Sequence, residues 1–474
     1  MRASFKTLVA SGLAAGLLAG CATLEPTYHR PTLPTPAAFP QATLDDLAAP
    51  AGGKIGWQAF FVDPKLRQLI ALGLANNRDL RVAVANVEAA RAKYHVQRAD
   101  LLPSINASLG ATYGHQQVIT GTPTNPNTAP LTYEEHQYTT NVGFSSYELD
   151  LFGRVRSLTK SSLEQYFSTR EAQRAAQITL IAEIADDDLT LAADSAILKT
   201  AQDTLTSASA SLDLAQKRFD HGVASQLDVA QARTLVEQAR SDVANDTTIV
   251  AQDRDALDFV VGSPVPDALL PDALDDQLPV MSDVPAGLPS DVLLSRPDVL
   301  EAEHQLKAEN AQIGAARAAF FPTITLTGSG GTTSTDLTNL FKGPFAIWSF
   351  APQVSVPIFN GGANIANLDY AKAERTVAVA QYEKAIQSAF KDVADALARR
   401  ATIDEQLAAQ QAGVDAAADA ARLSRARYER GSDTYLNVLT AERTLYSAQE
   451  TLIAARLTRA TNLVSLYTAL GGGA

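Results

Sequence analysis

Apolar and polar residues alternate along four short stretches of this chain. Ile105, Ala107, Leu109, Ala111 and Tyr113 stand between Ser104, Asn106, Ser108, Gly110 and Thr112. A period of two puts one set on each face of a strand, here over about residues 104–114. A second strand is predicted over about 138–150, and Gly114–Gln137, with Pro123, Pro126 and Pro130, reads as the loop between them. Ile324 and Leu326 alternate with threonines in a third strand, about 323–331. The fourth, about 347–358, places Trp348, Phe350, Val354, Val356 and Ile358 on one face and Ser349, Ala351, Gln353 and Ser355 on the other. Each is close to the ~9–11 residues that a tilted membrane strand needs. Tyr113, Tyr138, Phe345 and Trp348 lie toward the loop ends, where an interfacial girdle would sit. A soluble sandwich would show the same alternation.

Elsewhere the period changes to seven. Ile184, Leu191, Leu198, Leu205, Leu212 and Phe219 form one row, and Val229, Val236, Val243, Val250 and Leu257 a second. Val393, Leu407, Val414 and Tyr428, then Val438, Leu445, Leu452 and Leu466, repeat the phase, with interruptions at Arg400, Ala421 and Arg459. Heptads sustained this long predict coiled-coil packing of long helices. Arg154 to His221 alone would extend about 100 Å at the helical rise. Another helix is predicted from near Pro64 to about Leu101.

The pattern occurs twice. Asp79–Pro103 and Asp298–Pro322 have the same spacing, share Ala-Arg-Ala, and each passes from helix into strand at its proline. Two turns match as well, Arg218–Arg233 and Arg427–Arg443, aligning Gly222 with Gly431, Phe219 with Tyr428, Leu227 with Leu436 and Asp228 with Asn437. Glycine ends a helix at positive φ without steric cost, and Ser225 or Thr434 is placed to cap the next one. The chain is an internal duplication of a helix–strand–strand–helix unit. Its predicted parts are a signal segment 1–20, a Pro/Ala-rich tether 21–54, a first repeat 55–262, a linker 263–295 and a second repeat 296–474.

Composition narrows the setting. A formal charge of -13 offers no basic patch to phosphates and argues against a nucleic-acid partner. Arg2 and Lys6 precede an apolar run, Leu8–Leu18, that is too short to span a bilayer. The run ends in Leu18-Ala19-Gly20-Cys21, which resembles a bacterial lipobox, and Cys21 is the only cysteine. A covalent lipid on Cys21 is therefore the one non-protein group expected, and Ala22 after it resembles the outer-membrane sorting pattern of bacterial lipoproteins. With no apolar run of eighteen or more beyond residue 20, only a closed barrel would cross a membrane. Nothing points to an enzyme. The six histidines are scattered without metal-ligand spacing, no phosphate loop or nucleophile elbow occurs, and Asp186-Asp187-Asp188 reads as a solvated helix face.

Four strands do not close a barrel, so copies of the chain must share one: two give eight strands and three give twelve, within the known range from about eight upward. At this point FFVDPKLRQLIALGLANNRDLRVAVANVEAARA, GLPSDVLLSRPDVLEAEHQLKAENAQIGAARAAFFP and the twin RF/RY-x-x-G turns resemble the outer-membrane factor family of TolC-like channels, in its NodT-like lipoprotein branch. The resemblance implies a mixed α/β membrane protein: a homotrimer with a twelve-stranded outer-membrane β-barrel, four strands per chain. A long α-helical coiled-coil barrel would continue it into the periplasm. It implies a Gram-negative outer membrane with its lipid, a periplasmic adaptor, and a proton-driven inner-membrane pump of the resistance–nodulation–division class. It also assigns Gly222, Val223, Ala224, Ser225, Gly431, Ser432, Asp433 and Thr434 to periplasmic tips that meet the adaptor, and Asp228, Asn437, Thr440, Arg427 and Tyr428 to the aperture. Two other functions stay open: the channel of a type I protein-secretion system, and a coiled-coil lipoprotein scaffold without a pore.

Overall fold

A computed structural model of the chain describes residues 23–39, 56–118, 131–271, 290–342 and 346–472. Cys21, Phe345 and the prolines 123, 126 and 130 lie outside them. The described residues fall into two units, one drawn from Met1–Arg30, Glu88–Phe167 and Glu303–Ala380, the other from Pro31–Val87, Ser168–Ala302 and Gln381–Ala474.

The elements follow the duplication. A helical turn, Trp57–Phe60, leads to α1 (Pro64–Asn76), α2 (Arg78–Ala99), β1 (Ile105–Val118), β2 (Leu131–Glu148), α3 (Arg154–Asp220) and α4 (Gln226–Val261). The second repeat gives α5 (Pro297–Ala318), β3 (Thr323–Ser334), β4 (Ala346–Ser355), α6 (Ala363–Glu429) and α7 (Tyr435–Ala469). The helix predicted from Pro64 to Leu101 is two helices. Asn77 leaves the helical region, donates its amide to the Val260 carbonyl at 2.7 Å and accepts the Leu80 N–H at 2.8 Å. It thereby ends α1 and caps α2, a role asparagine fills well.

In the first unit the four strands form one antiparallel sheet in the order β1-β2-β3-β4. β1 and β2 are longer than predicted and consume both ends of the expected loop 114–137. Gly114 pairs with Glu135 and Gln116 with Tyr133. Gln116 donates to Glu135 at 2.8 Å and accepts from the Tyr133 hydroxyl at 3.1 Å. Ladder pairing needs only backbone groups, so it continues where both faces are polar and the alternation fades. β4 stops at Ser355, short of the predicted 358, just before Pro357, which has no donor for the ladder.

The predicted tether is not free over residues 24–30. Glu25 pairs with Lys160 at 2.8 Å, Arg317 and Asn310 donate to the carbonyls of Leu24 and Pro26, and Arg30 meets the buried Glu303 at 2.7 Å. Burial alone would push the Glu303 carboxyl up. Hydrogen bonds and charge from Arg30 and Lys307 outweigh it and hold the carboxyl below its usual range.

The second unit is a helical bundle. Phe60, Phe61, Leu69 and Ile70 pack with Ile181 and Ile184 of α3, Leu257 and Val261 of α4, and Tyr467 of α7. Phe60 and Tyr467 stack with ring centroids 4.4 Å apart. Along α3 the heptad row of large residues starts buried, at Ile184 and Leu191, but beyond them it is not the tightest seam. Leu198, Leu205 and Leu212 are half-buried and Phe219 is exposed, whereas Ala201, Ala208 and Ala215, also seven apart, have no exposed surface. Small side chains let neighbouring helix axes approach, so the alanine row takes the innermost position.

Candidate functional site

Two features carry the functional argument: the faces of the sheet, and the turns of the two helical hairpins. Residues paired across a ladder share a face. One face of the sheet therefore collects Ile105, Leu109 and Tyr113 from β1, and Tyr138, Val142 and Phe144 from β2. Leu326 and Ile324 of β3 and Trp348, Phe350 and Val354 of β4 complete it. These side chains point away from the single chain: Trp348 is 81 % exposed, Leu109 72 % and Val354 62 %. The other face presents Asn106, Ser108, Thr112, Thr139, Asn141, Thr325, Thr327, Ser329, Thr333, Ser349 and Gln353. Ser329 and Ser349 hydrogen-bond across it at 2.9 Å.

A bulge preserves this sorting. Ser146 takes φ 56°, and the β2–β3 register slips between Phe144 and Tyr147. Tyr147 then pairs with Leu326 and joins the apolar face, which strict alternation from Phe144 would deny it. No sequence signal in Gly143–Glu148 marks that slip. Tyr113 and Tyr138 meet edge to face at 6.0 Å with hydroxyls 3.2 Å apart, inside the ladder and not at its loop end, because the pairing runs on to Val118 and Leu131. Trp348 lies on the same face opposite Gly330.

The two turns are copies in backbone and different in side chains. Gly222 and Gly431 have φ 74° and 75°. In the first, Gly222 N–H donates to Phe219 and Val223 N–H to Arg218, both at 2.8 Å. In the second, Gly431 donates to Tyr428 at 2.9 Å and Ser432 to Arg427 at 3.0 Å. These are Schellman closures, which need the left-handed glycine. Ser225 caps α4 in a full capping box: its hydroxyl accepts the Asp228 N–H, and the Asp228 carboxylate accepts the Ser225 N–H, each at 3.1 Å. Thr434 makes no such side-chain bond, contrary to expectation. Asp433 instead accepts the Thr434 N–H at 2.8 Å and the Asn437 side-chain amide at 2.6 Å, and pairs with Arg427 at 3.2 Å. The backbone bond, the Asn437 bond and the Arg427 charge hold the Asp433 carboxyl below its usual range.

Of the aperture candidates, Asp228 and Asn437 are thus engaged in helix starts, and the Thr440 hydroxyl donates to its own helix at the Leu436 carbonyl, 2.9 Å away. Tyr428 is buried against Tyr435, with centroids at 5.3 Å. Burial pushes the Tyr428 phenol up, the Asp228 charge adds to that, and Arg218 opposes it. Two residues escaped the sequence reading. Tyr435 has no exposed surface and fills the space between the hairpins with Val229 and Val438. Arg218 reaches from the first hairpin to the second. Its duplication with Arg427 was the available signal.

A family model for outer membrane efflux proteins matches residues 69–263 and 288–472. The antibiotic efflux pump outer membrane protein ArpC of Pseudomonas putida is 47% identical over 473 residues, covering 99% of this chain and 96% of the relative. The toluene efflux pump outer membrane protein TtgC of Pseudomonas putida gives the same figures. The open-state MtrE outer membrane channel of Neisseria gonorrhoeae superposes with a TM-score of 0.83 at 38% identity, covering 95% of this chain and 98% of that one.

The chain belongs to the outer membrane efflux protein family. It is an outer-membrane protein of that family with four strands per chain and long helices. Among the described residues of this efflux protein no helix is long and apolar enough to cross a membrane. One further expectation is corrected. Asp186, Asp187 and Asp188 are not a solvated face: Asp188 is 5 % exposed and the other two are half-buried. Burial, then Asp63, pushes the Asp188 carboxyl up to about 7, against the pull of Lys65. Burial and neighbouring carboxylates push Asp186 and Asp187 up to about 6. Ile184, Ala185 and Leu189 of the same stretch are buried in the helical core, and Asp188 turns inward with them, while Thr179 and Glu183 keep the exposed face.

Proposed function

We propose that this chain forms the outer-membrane exit duct of a tripartite efflux pump, passing antibiotics, aromatic solvents or similar small molecules outward. Three copies close a twelve-stranded barrel, the apolar face meeting lipid and the hydroxyl- and amide-rich face lining the passage. The observation that carries this reading is the sheet itself. It has one mainly apolar face, on which Thr140 and Thr332 hydrogen-bond to each other at 2.9 Å, yet β1 and β4 each have an edge without a strand neighbour among the described residues. In lipid such edges would strand backbone donors and acceptors, and pairing β1 of one copy with β4 of the next satisfies both. Cyclic symmetry then sets the closure.

Cys21 carries the lipid. Two residues later Thr23 lies against Gly153, in the turn between β2 and α3. The turns around Gly222 and Gly431 meet a periplasmic adaptor that couples the duct to an inner-membrane, proton-driven pump of the resistance–nodulation–division class. The duct does no chemistry of its own.

Photo-reactive residues at Val223 and Ser432 in intact cells test the partners. Capture of an adaptor accompanied by a proton-driven pump is the expected result. Capture of an adaptor with an ATP-driven exporter would move the function to protein secretion. Absence of ion conductance by the purified protein in planar bilayers would remove the pore and leave a scaffold.

A further inference from the structure

An open cleft of about 700 Å³ lies within the second unit, toward the end of α7 away from its turn. Its walls come from α3, the start of α5, α6 and α7. What they offer a ligand depends on which of their protons are already engaged. Arg296 is 8 % exposed, and each of its three nitrogens donates inside the protein. Nε and Nη2 hold Asp298 at 3.0 and 2.7 Å, Nη1 takes the Ala469 carbonyl at 2.7 Å, and Nη2 also reaches Asp392 at 3.4 Å.

The α7 wall has engaged its donors too. A threonine hydroxyl has one proton and a carbonyl has none, so a hydroxyl within hydrogen-bond distance of a carbonyl is the donor. Thr458 donates to the Ala454 carbonyl at 2.8 Å, Thr461 to Leu457 at 3.0 Å and Thr468 to Ser465 at 2.8 Å. The Asn462 side-chain nitrogen donates to the Ala396 carbonyl at 3.1 Å. What these walls still have for a ligand is acceptors: the three hydroxyl oxygens, the Asn462 side-chain oxygen, and the carboxylates of Asp392 and Asp395. Asp395 pairs with Lys391 at 2.6 Å, but both are exposed and such a pair is worth little. Ile178 and Ala396 are buried and add apolar surface to the lining.

We propose that this cleft binds a linear polyamine, with ammonium groups on Asp392, Asp395 and the threonine oxygens and methylene spacers over Ile178 and Ala396. A primary ammonium carries three donors and no acceptor, which is the complement of such a wall. Charge agrees. Arg296 neutralises Asp298, which leaves Asp392 and Asp395 facing one exposed cation of the lining, Arg399. An inorganic ion suits the cleft less well. The volume is far more than one ion fills, and among the described residues no group of three or more His, Cys, Asp or Glu is placed to hold a metal. Bound there, a polyamine would join α6 to α7 beside the point where Arg296 already ties the start of α5 to both. Such a site is independent of whether the protein conducts.

Titration calorimetry of the full-length protein with spermidine, at fixed pH and salt, tests this. One saturable site per chain is expected. Asp395→Asn weakens binding about three-fold, and Asp392→Asn combined with it about ten-fold, as partly exposed ion pairs imply. Thr461→Val keeps the shape of the side chain, removes an acceptor and weakens binding about three-fold. Arg399→Ala strengthens binding. Asp419→Asn, at an exposed carboxylate of α6 outside the cleft, changes nothing. Hexylamine, with a single ammonium group, binds about ten-fold more weakly than spermidine. Where loss of the Arg296 contact keeps the Asp392 variant from folding, Asp395→Asn and Thr461→Val decide. Absence of a saturable site overturns the proposal. So does an equal loss in Asp419→Asn, or binding indifferent to both Asp395→Asn and Thr461→Val, since either marks general attraction to an acidic chain. Hexylamine binding as tightly as spermidine overturns the polyamine class.

Discussion

Arg425 of α6 donates through Nε to Glu442 of α7 at 3.1 Å, and Glu442 is almost wholly buried. Arg425 also reaches Ser207 of α3, so one side chain ties three helices. In the first repeat the matching positions hold Gln216 and Arg233, so the pair is peculiar to the second hairpin. Removing one partner of such a pair strands the other. Arg425→Leu is expected to lower stability by on the order of 2 kcal/mol, less than a fully buried pair because the arginine is partly exposed. Adding Glu442→Leu recovers most of that loss. Thermal unfolding of the two single variants and the double variant checks the cycle.

The carboxyls of Asp186, Asp187 and Asp188 are pushed up to about 6, 6 and 7 in the folded chain. The folded state then binds more protons than the unfolded state between the ordinary aspartate value and those values. Their contribution is fully present below about pH 4 and is lost as pH rises to about 7. Melting temperature is expected to fall over that window, and Asp188→Asn to raise it at pH 7.5 more than at pH 5. A melting temperature that climbs across the window would contradict the assignment.

Neighbouring residues on β2 face opposite ways. Val142 is on the apolar face and Asn141 on the polar one. Val142→Arg puts a charge toward lipid, which costs about 2–4 kcal/mol near the bilayer centre, and is expected to abolish outer-membrane assembly. Asn141→Arg assembles and moves ion selectivity toward anions. Trimer yield on cold gels and reversal potentials in bilayers read the two outcomes.

The turns look alike in sequence but are capped differently. Ser225→Ala removes a working cap and is expected to cost about 1 kcal/mol. Thr434→Ala removes a hydroxyl that caps nothing and is expected to be close to neutral. Equal losses in denaturant unfolding would show that the capping box is not what holds the start of α4.

Cys21→Ser removes the proposed acyl acceptor. Labelled palmitate is expected in the wild-type protein and absent from this variant. The variant still folds, because Glu25, Arg30 and Tyr28 hold the segment after it through side chains.

Much of this protein is written locally. Period two along residues 104–114 and 347–358 located strands, period seven located helices, and Gly222 and Gly431 located turns, because each depends on residues a few positions apart. The duplication was legible in the matched spacing of Asp79–Pro103 and Asp298–Pro322. What the sequence did not contain was distance between remote residues. The break at Asn77 depends on a carbonyl at Val260, the burial of Asp188 on helices arriving from other parts of the chain, and the bulge at Ser146 on pairing with β3. Likewise Arg218 and Arg427 read as twins. Only folding, which brings the second hairpin within reach of the first, shows one arginine closing its own turn and the other crossing to its neighbour.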